Sequence, residues 1–385
     1  MGDISNIMRI RLQSSGMKFT KVVLGLVLIF SLFGCSSTSP ANTQEMGNPF
    51  DPDSTTEPAT QPPTTEPATQ PPTTEPATQP PKADKETFLT MSVHVEGWKG
   101  ENKNTEKFDR HSQIIIDVAH EAHQAGAVFS FELSSEFATS SGAKGVVDEL
   151  LSLGHAIEVH ADVGGVGTPS LEELTRQLSV KYEQVQSLGV TPILVSGICS
   201  KGPFVEAALS AGYRITTGVV EYCLTSLDVS HHPKGWNIDE CPSPSECHGN
   251  LGFSISRKAT PWGTSSSENW TIPNSDGGLL IVVGESGATI KCLAEDDIGS
   301  NGCEYSFEDI NEYARLAESY VLYGEESNDK RCCIFATTIS VGGSPPEGFI
   351  SELVSSISFL VDSGRAKWRT PLQIYERVTQ LKIEQ

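Results

Sequence analysis

Gly145-Val146-Val147-Asp148-Glu149-Leu150-Leu151-Ser152-Leu153-Gly154-His155-Ala156-Ile157-Glu158-Val159-His160 reads as a helix, a glycine and a strand, in that order. Apolar residues recur at helical spacing up to Leu153, and Gly154 stands where a helix C-cap needs positive φ. Ala156–His160 then has the length and composition of a strand. The same unit recurs along the chain. Strand character is found at 88–95, 127–133, 192–195, 213–219, 279–283 and 333–339, and helical patterns at 108–125, 170–188 and 203–211. Gly126, Gly189 and Gly212 close those helices as Gly154 closes its own. Strand, helix and glycine in repetition predict parallel βα units, most simply an α/β fold that is a distorted or partial (β/α) barrel. Pro345-Pro346 suits a helix start before the pattern at 347–363, and a tail follows at 368–383. The stretch 224–274, rich in Gly, Pro, Ser and Cys, breaks the rhythm and reads as an insertion.

Upstream of this domain the composition changes twice. Met17-Lys18-Phe19-Thr20-Lys21 is a basic segment before the apolar run 22–33, which is too short to span a bilayer stably. Leu32-Phe33-Gly34-Cys35 is a lipobox, so Cys35 is expected to carry lipid, and Met17 is a second candidate start. Several acyl chains on one cysteine give a stable anchor where one chain would not. Ser36 in place of a retention aspartate points to an outer-membrane or cell-surface destination where the host has an outer membrane. Thr55-Thr56-Glu57-Pro58-Ala59-Thr60-Gln61-Pro62-Pro63 then recurs unchanged at 64–72 and 73–81. Such proline density favours extended polyproline II at ~3.1 Å per residue, a semi-stiff spacer without a core. The expected organisation is therefore an N-terminal extension and signal peptide over 1–34, a lipidated, disordered Pro/Thr-rich linker over 35–85, and a barrel domain over 86–385 with a Cys-rich insertion near 223–274.

The formal charge is −22, and removing the four bases and one acid before Cys35 takes it to about −25. A surface this acidic repels phosphates, which argues against nucleic acid and against anionic bilayers as partners, so membrane contact is expected through the lipid only. Eight cysteines lie beyond the linker, and an even count in an exported chain predicts disulfides rather than a zinc site with His231, His232 or His248. Cys241 and Cys247 could close a local loop. The adjacent Cys332 and Cys333 are expected to take different partners.

In barrels, chemistry sits at the C-terminal ends of the strands. Ser92-Val93-His94-Val95-Glu96-Gly97-Trp98 sends His94 and Glu96 to one face, and His160 and Asp162 share a face in the same way. An imidazole beside a carboxylate can hold a divalent metal or pair as base and orienter. Val195-Ser196-Gly197-Ile198-Cys199 ends a third strand, but no nucleophile-elbow pattern surrounds Ser196 or Cys199.

The order of these segments resembles the polysaccharide deacetylase (NodB-type) family over about 88–376. Thr90-Met91-Ser92-Val93-His94-Val95-Glu96-Gly97 stands where the family's first strand ends in paired acids, and Ala127-Val128-Phe129-Ser130-Phe131 resembles its second strand. Gly154-His155-Ala156-Ile157-Glu158-Val159-His160 resembles its glycine-histidine lead into a metal-ligand histidine. The stretch 207–217 and the ending Gly364-Arg365-Ala366-Lys367-Trp368 with Ile374-Tyr375 resemble later segments. Departures accompany these matches: Gly164 where a second histidine stands, no arginine near 196–202, and Ser340 where the family has a histidine acid. The resemblance implies a divergent, metal-dependent hydrolase of C–N (non-peptide) bonds or acetyl esters, removing acetyl groups from a polysaccharide in the bacterial cell envelope. The expected roles are His94, Glu96 and His160 as ligands of zinc or a similar divalent ion, Glu96 and Asp162 as catalytic carboxylates, and Trp98 and Trp262 as glycan platforms. The alternative is a catalytically inactive carbohydrate-binding or scaffold module on the same fold, with Trp236 and Trp270 as further platforms.

Overall fold

The computed structural model describes residues 85–96, 99–274, 276–285, 289–294 and 303–383. The lipobox, the repeats and Trp98 lie outside the described residues. From the N-terminal side the elements are β1 (Thr87–Val95), α1 (Thr105–Gln124), β2 (Ser130–Leu133), α2 (Ser135–Ala138), α3 (Ala143–Ser152), β3 (Ala156–His160), α4 (Leu171–Gln186), β4 (Leu194–Ser196), α5 (Phe204–Ala211) and β5 (Ile215–Thr216). There follow α6 (Ile255–Ala259), β6 (Trp262–Thr264), β7 (Leu279–Ile281), α7 (Phe307–Glu326), β8 (Ile334–Ser340), α8 (Phe349–Ser355), α9 (Ser358–Asp362), β9 (Ala366–Trp368) and α10 (Pro371–Ile383).

The strands form one curled sheet in the order β6-β7-β5-β4-β3-β2-β1-β8, with β9 added to β1. All pairs are parallel except β6 with β7. Thr289, beyond β7, bridges Thr338 of β8 and so leans the two sheet edges together. The result is the partial (β/α) barrel expected from the repeating units.

Alternation along the strands separates two cores. Leu89, Met91, Val93 and Val95 of β1 join Val195, Phe335 and Ile339 against the surrounding helices. The opposite faces supply a second cluster of Leu194, Ile215, Leu280, Val282, Ile334 and Ala336, plugged by Ile374 and Val378 of α10. The barrel interior is therefore apolar and closed at the N-terminal ends of the strands. Towards the C-terminal ends the same inward positions become polar: Ser92, Glu132, Ser196 and Thr217 are all buried.

Buried polar groups lock the strands. Glu158 accepts from the amides of Ile193 and Leu194, both at 2.8 Å, and burial pushes its carboxyl up to about 8. Disulfides join Cys199 to Cys223, Cys241 to Cys247, and Cys332 to Cys333. The last corrects the expectation that adjacent cysteines take different partners. The local Cys241–Cys247 loop forms as expected. Among the described residues no helix is long and apolar enough to cross a membrane.

Candidate active site

Strand register assembles the site. His94 of β1 pairs directly with Glu132 of β2, and Glu132 with Glu158 of β3. Parallel neighbours in register lie ~4.8 Å apart on the same side of the pleat, here the barrel interior. His160, on the same face of β3 as Glu158, pairs with Ser196 of β4. His94 and His160 thereby come within 4.4 Å between ring centroids.

Carboxylates flank the two imidazoles. Glu132 Oε2 lies 3.1 Å from His94 Nε2, and Glu96 places Oε1 3.4 Å from His94 Nδ1 and Oε2 2.7 Å from His160 Nε2. Ser196 Oγ lies 2.8 Å from His160 Nδ1 and donates to Glu132, whose other oxygen accepts from Thr217 at 3.3 Å. Ser196 is fully buried between those partners, so it positions them and offers no nucleophile to solvent. Burial alone would lower the His94 pKa, but Glu132 and Glu96 hold it up at about 10. For Glu96, hydrogen bonds from His160 and His94 outweigh the upward push of burial and hold the carboxyl well below the ordinary range. Glu132 is likewise depressed: burial opposes, while His94 and the hydroxyls of Ser196 and Ser92 prevail.

His94, Glu132 and His160 offer ligand atoms that all lie within 4.8 Å of one another. The buried His94 Nε2, though close to Glu132, lacks a directed hydrogen-bond partner. Two imidazoles and a buried carboxylate within 4.8 Å of one another fit a borderline divalent cation such as zinc.

A pocket of about 370 Å³ opens over this cluster, lined by His94, Glu96, His160 and Asp162 among others. Asp162 turns away from the strand at φ 47°, and Gly197 (φ 64°) must be glycine because a Cβ there would meet the Asp162 amide at 2.7 Å. The structure thus brings together four of the residues named from sequence. Trp262 is a correction. It is buried in β6, donates from Nε1 to the Trp270 carbonyl at 2.7 Å, carries Arg257 over its ring at 3.5 Å, and does not line this pocket. A second ring to pack against made it core. Trp270 is likewise buried, and Trp236 donates to Glu221 at 2.8 Å.

Sequence reasoning passed over Glu132 and Thr217, and weighed His248 only for a cysteine-associated zinc site. Glu132 had a signal, a carboxylate inside an apolar strand whose neighbour in register is His94. His248 reaches the pocket mouth from the insertion, which no local pattern announces. Desolvation at the wall and the nearby His94 hold its imidazole below the ordinary value, although the residue as a whole remains exposed.

No family model matches the chain, and no curated protein matches it by sequence. Solved structures do match. A structure assigned as a polysaccharide deacetylase from Mycobacterium smegmatis superposes with a TM-score of 0.50 at 10% identity, covering 79% of this chain and 93% of the other. One assigned as a polysaccharide deacetylase from Pseudomonas aeruginosa PAO1 gives 0.48 at 8%, covering 78% and 94%. A GH57 branching enzyme from Thermococcus kodakaraensis gives 0.46 at 11%, covering 75% and 71%. At such identity the likeness to the first shows the fold alone, a barrel of the polysaccharide deacetylase type.

Proposed function

We propose that this chain is a metal-dependent hydrolase that removes acetyl groups from an envelope polysaccharide. The observation that carries this reading is the His94–Glu132–His160 cluster beneath an open pocket, with ligand atoms all within 4.8 Å of one another. When bound there, a divalent ion would polarise the acyl carbonyl and acidify a water beside it.

The chain's own residues supply the rest. Glu132 and the two histidines would hold the ion, with Glu132 of β2 in the place that the reading from sequence gave to Glu96. Ser196 and Thr217 orient Glu132 and His160, as outer partners commonly orient metal ligands. Glu96 is about a third exposed at the pocket, is ionised, and reaches both imidazoles. It is placed to take the proton of the attacking water as general base. Asp162 lines the wall beside it as a second carboxylate. The inactive-module alternative leaned on indole platforms, and Trp262 and Trp270 are buried, which weighs against it.

In the same reading the lipidated Cys35 and the Pro/Thr tether hold the domain at the cell envelope, facing the periplasm or the surface, with a glycan as its partner. The test is zinc content and hydrolysis of acetylated glycans for the wild type and Glu132→Gln. We expect about one equivalent of zinc in the wild type, and metal affinity weakened at least ~10–100-fold in the variant, with hydrolysis lost. Equal metal content in both proteins would sink the proposed ligand set.

A further inference from the structure

The pocket is chemically one-sided. The titratable groups that the barrel strands present to it, His94, Glu96, His160 and Asp162, come from the ends of β1 and β3. Beyond β4 the lining changes to Gly218, Val220 and Thr289, and on the other side of β1 to Thr338 of β8, none of which exchanges protons near neutral pH. On that flank stands one imidazole, His248, brought by the insertion together with Pro244 and Ser245.

His248 is on a fixed loop. The Tyr222 amide donates to the Cys247 carbonyl at 3.0 Å and the Glu221 amide to the Gly249 carbonyl at 2.9 Å, so both chain neighbours of His248 are pinned beside the end of β5. Cys241–Cys247 closes the loop, and Cys199–Cys223 ties the segment beneath it to the end of β4. Among the described residues no other side chain hydrogen-bonds the His248 ring, which meets the backbone of its own residue and lines the pocket.

We infer that His248 donates the proton to the departing group of the substrate. This assignment rests on the hydrolytic reading above. In hydrolysis of an N-acetyl group, the water oxygen bonds to the acyl carbon and the water gives one proton to Glu96. The C–N bond breaks with its electron pair on nitrogen, and nitrogen takes its proton from His248, giving the free amine and acetic acid, which ionises to acetate in solvent. Solvent then returns a proton to His248 and removes one from Glu96. An amide nitrogen does not depart without a proton, so a donor opposite the base is required, and correctly placed donors contribute about 10²–10⁴-fold.

The test compares zinc-loaded, full-chain wild type with His248→Gln on two substrates, an N-acetylglucosamine oligomer and 4-nitrophenyl acetate. The phenolate of the second departs without protonation. We expect kcat on the oligomer to fall at least ~100-fold, the aryl ester to change less than about 3-fold, and zinc content to stay the same. Glu246→Ala, on the same loop but exposed and outside the pocket lining, is expected to leave both rates unchanged. A readout free of turnover is the His248 ring resonance, identified by its loss in His248→Gln, which should shift on addition of a glucosamine oligomer. Equal losses on both substrates, an unaffected oligomer rate, an unmoved resonance, or a wild type that cleaves only the ester would each overturn the donor assignment and leave the hydrolase standing. A wild type that binds zinc and cleaves neither substrate would overturn the hydrolase reading and the donor with it.

Discussion

His155 and His160 sit at opposite ends of β3 and do different work because their surroundings differ. The His155 ring is buried, accepts from the Phe129 amide at 3.0 Å and faces the Ala119 carbonyl at 3.0 Å, tying β2 to α1. Burial, opposed by that carbonyl, pushes its pKa down to about 4. Between about 6.5, the unfolded value, and about 4 the unfolded chain therefore binds the proton and the folded chain does not. This contribution to stability is complete above about 6.5 and is lost as pH falls, at up to about 1.4 kcal/mol per unit. Glutamine can keep both hydrogen bonds without titrating, so His155→Gln should lose less stability than the wild type between about pH 7 and about pH 5. Urea denaturation at both values measures this, and identical pH slopes would refute it. The stretch Gly154–His160 that resembles a metal motif thus contains one structural histidine and one site histidine. Position on the strand separates them, His155 before its start and His160 at its C-terminal end.

Elements with strong periodicity were legible, and those built by tertiary contact were not. β1, β3 and β8 appear within about one residue of their expected bounds, since their apolar runs are buried on both faces. β5 shrinks to Ile215–Thr216, and the helix expected over 347–363 divides into α8 and α9 at Ser356 and Ile357. The longest miss is α7, although its start is written in Ser306 and Asp309. Ser306 Oγ accepts from the Asp309 amide at 3.2 Å, and Asp309 Oδ2 accepts from the Ser306 amide at 2.9 Å, a reciprocal capping box. Ile310, Tyr313, Ala317, Tyr320 and Val321 then face the core. Ser306→Ala removes half of that cap and should cost about 1 kcal/mol, read as a lower urea midpoint, whereas an unchanged midpoint would show that packing alone holds the helix.

For the whole molecule the lipobox carries a prediction independent of the barrel. Cys35→Ala should move the protein from the membrane fraction to the soluble fraction with the activity of the domain unchanged, and continued membrane association would refute the anchor. The expected anchor and tether rest on contiguous residues alone, all outside the described residues. The barrel was also within reach, because βα units repeat locally and each helix stop carries its glycine. The site was legible only in part. His94, Glu96, His160 and Asp162 show themselves through period-two spacing at strand ends, which needs only the pleat. Tertiary structure decided that Glu132 joins them, because pairing register sets which residue faces His94 across the sheet. It also decided that Trp262 is core and that His248 is at the mouth, since burial and disulfide closure depend on segments distant in the chain.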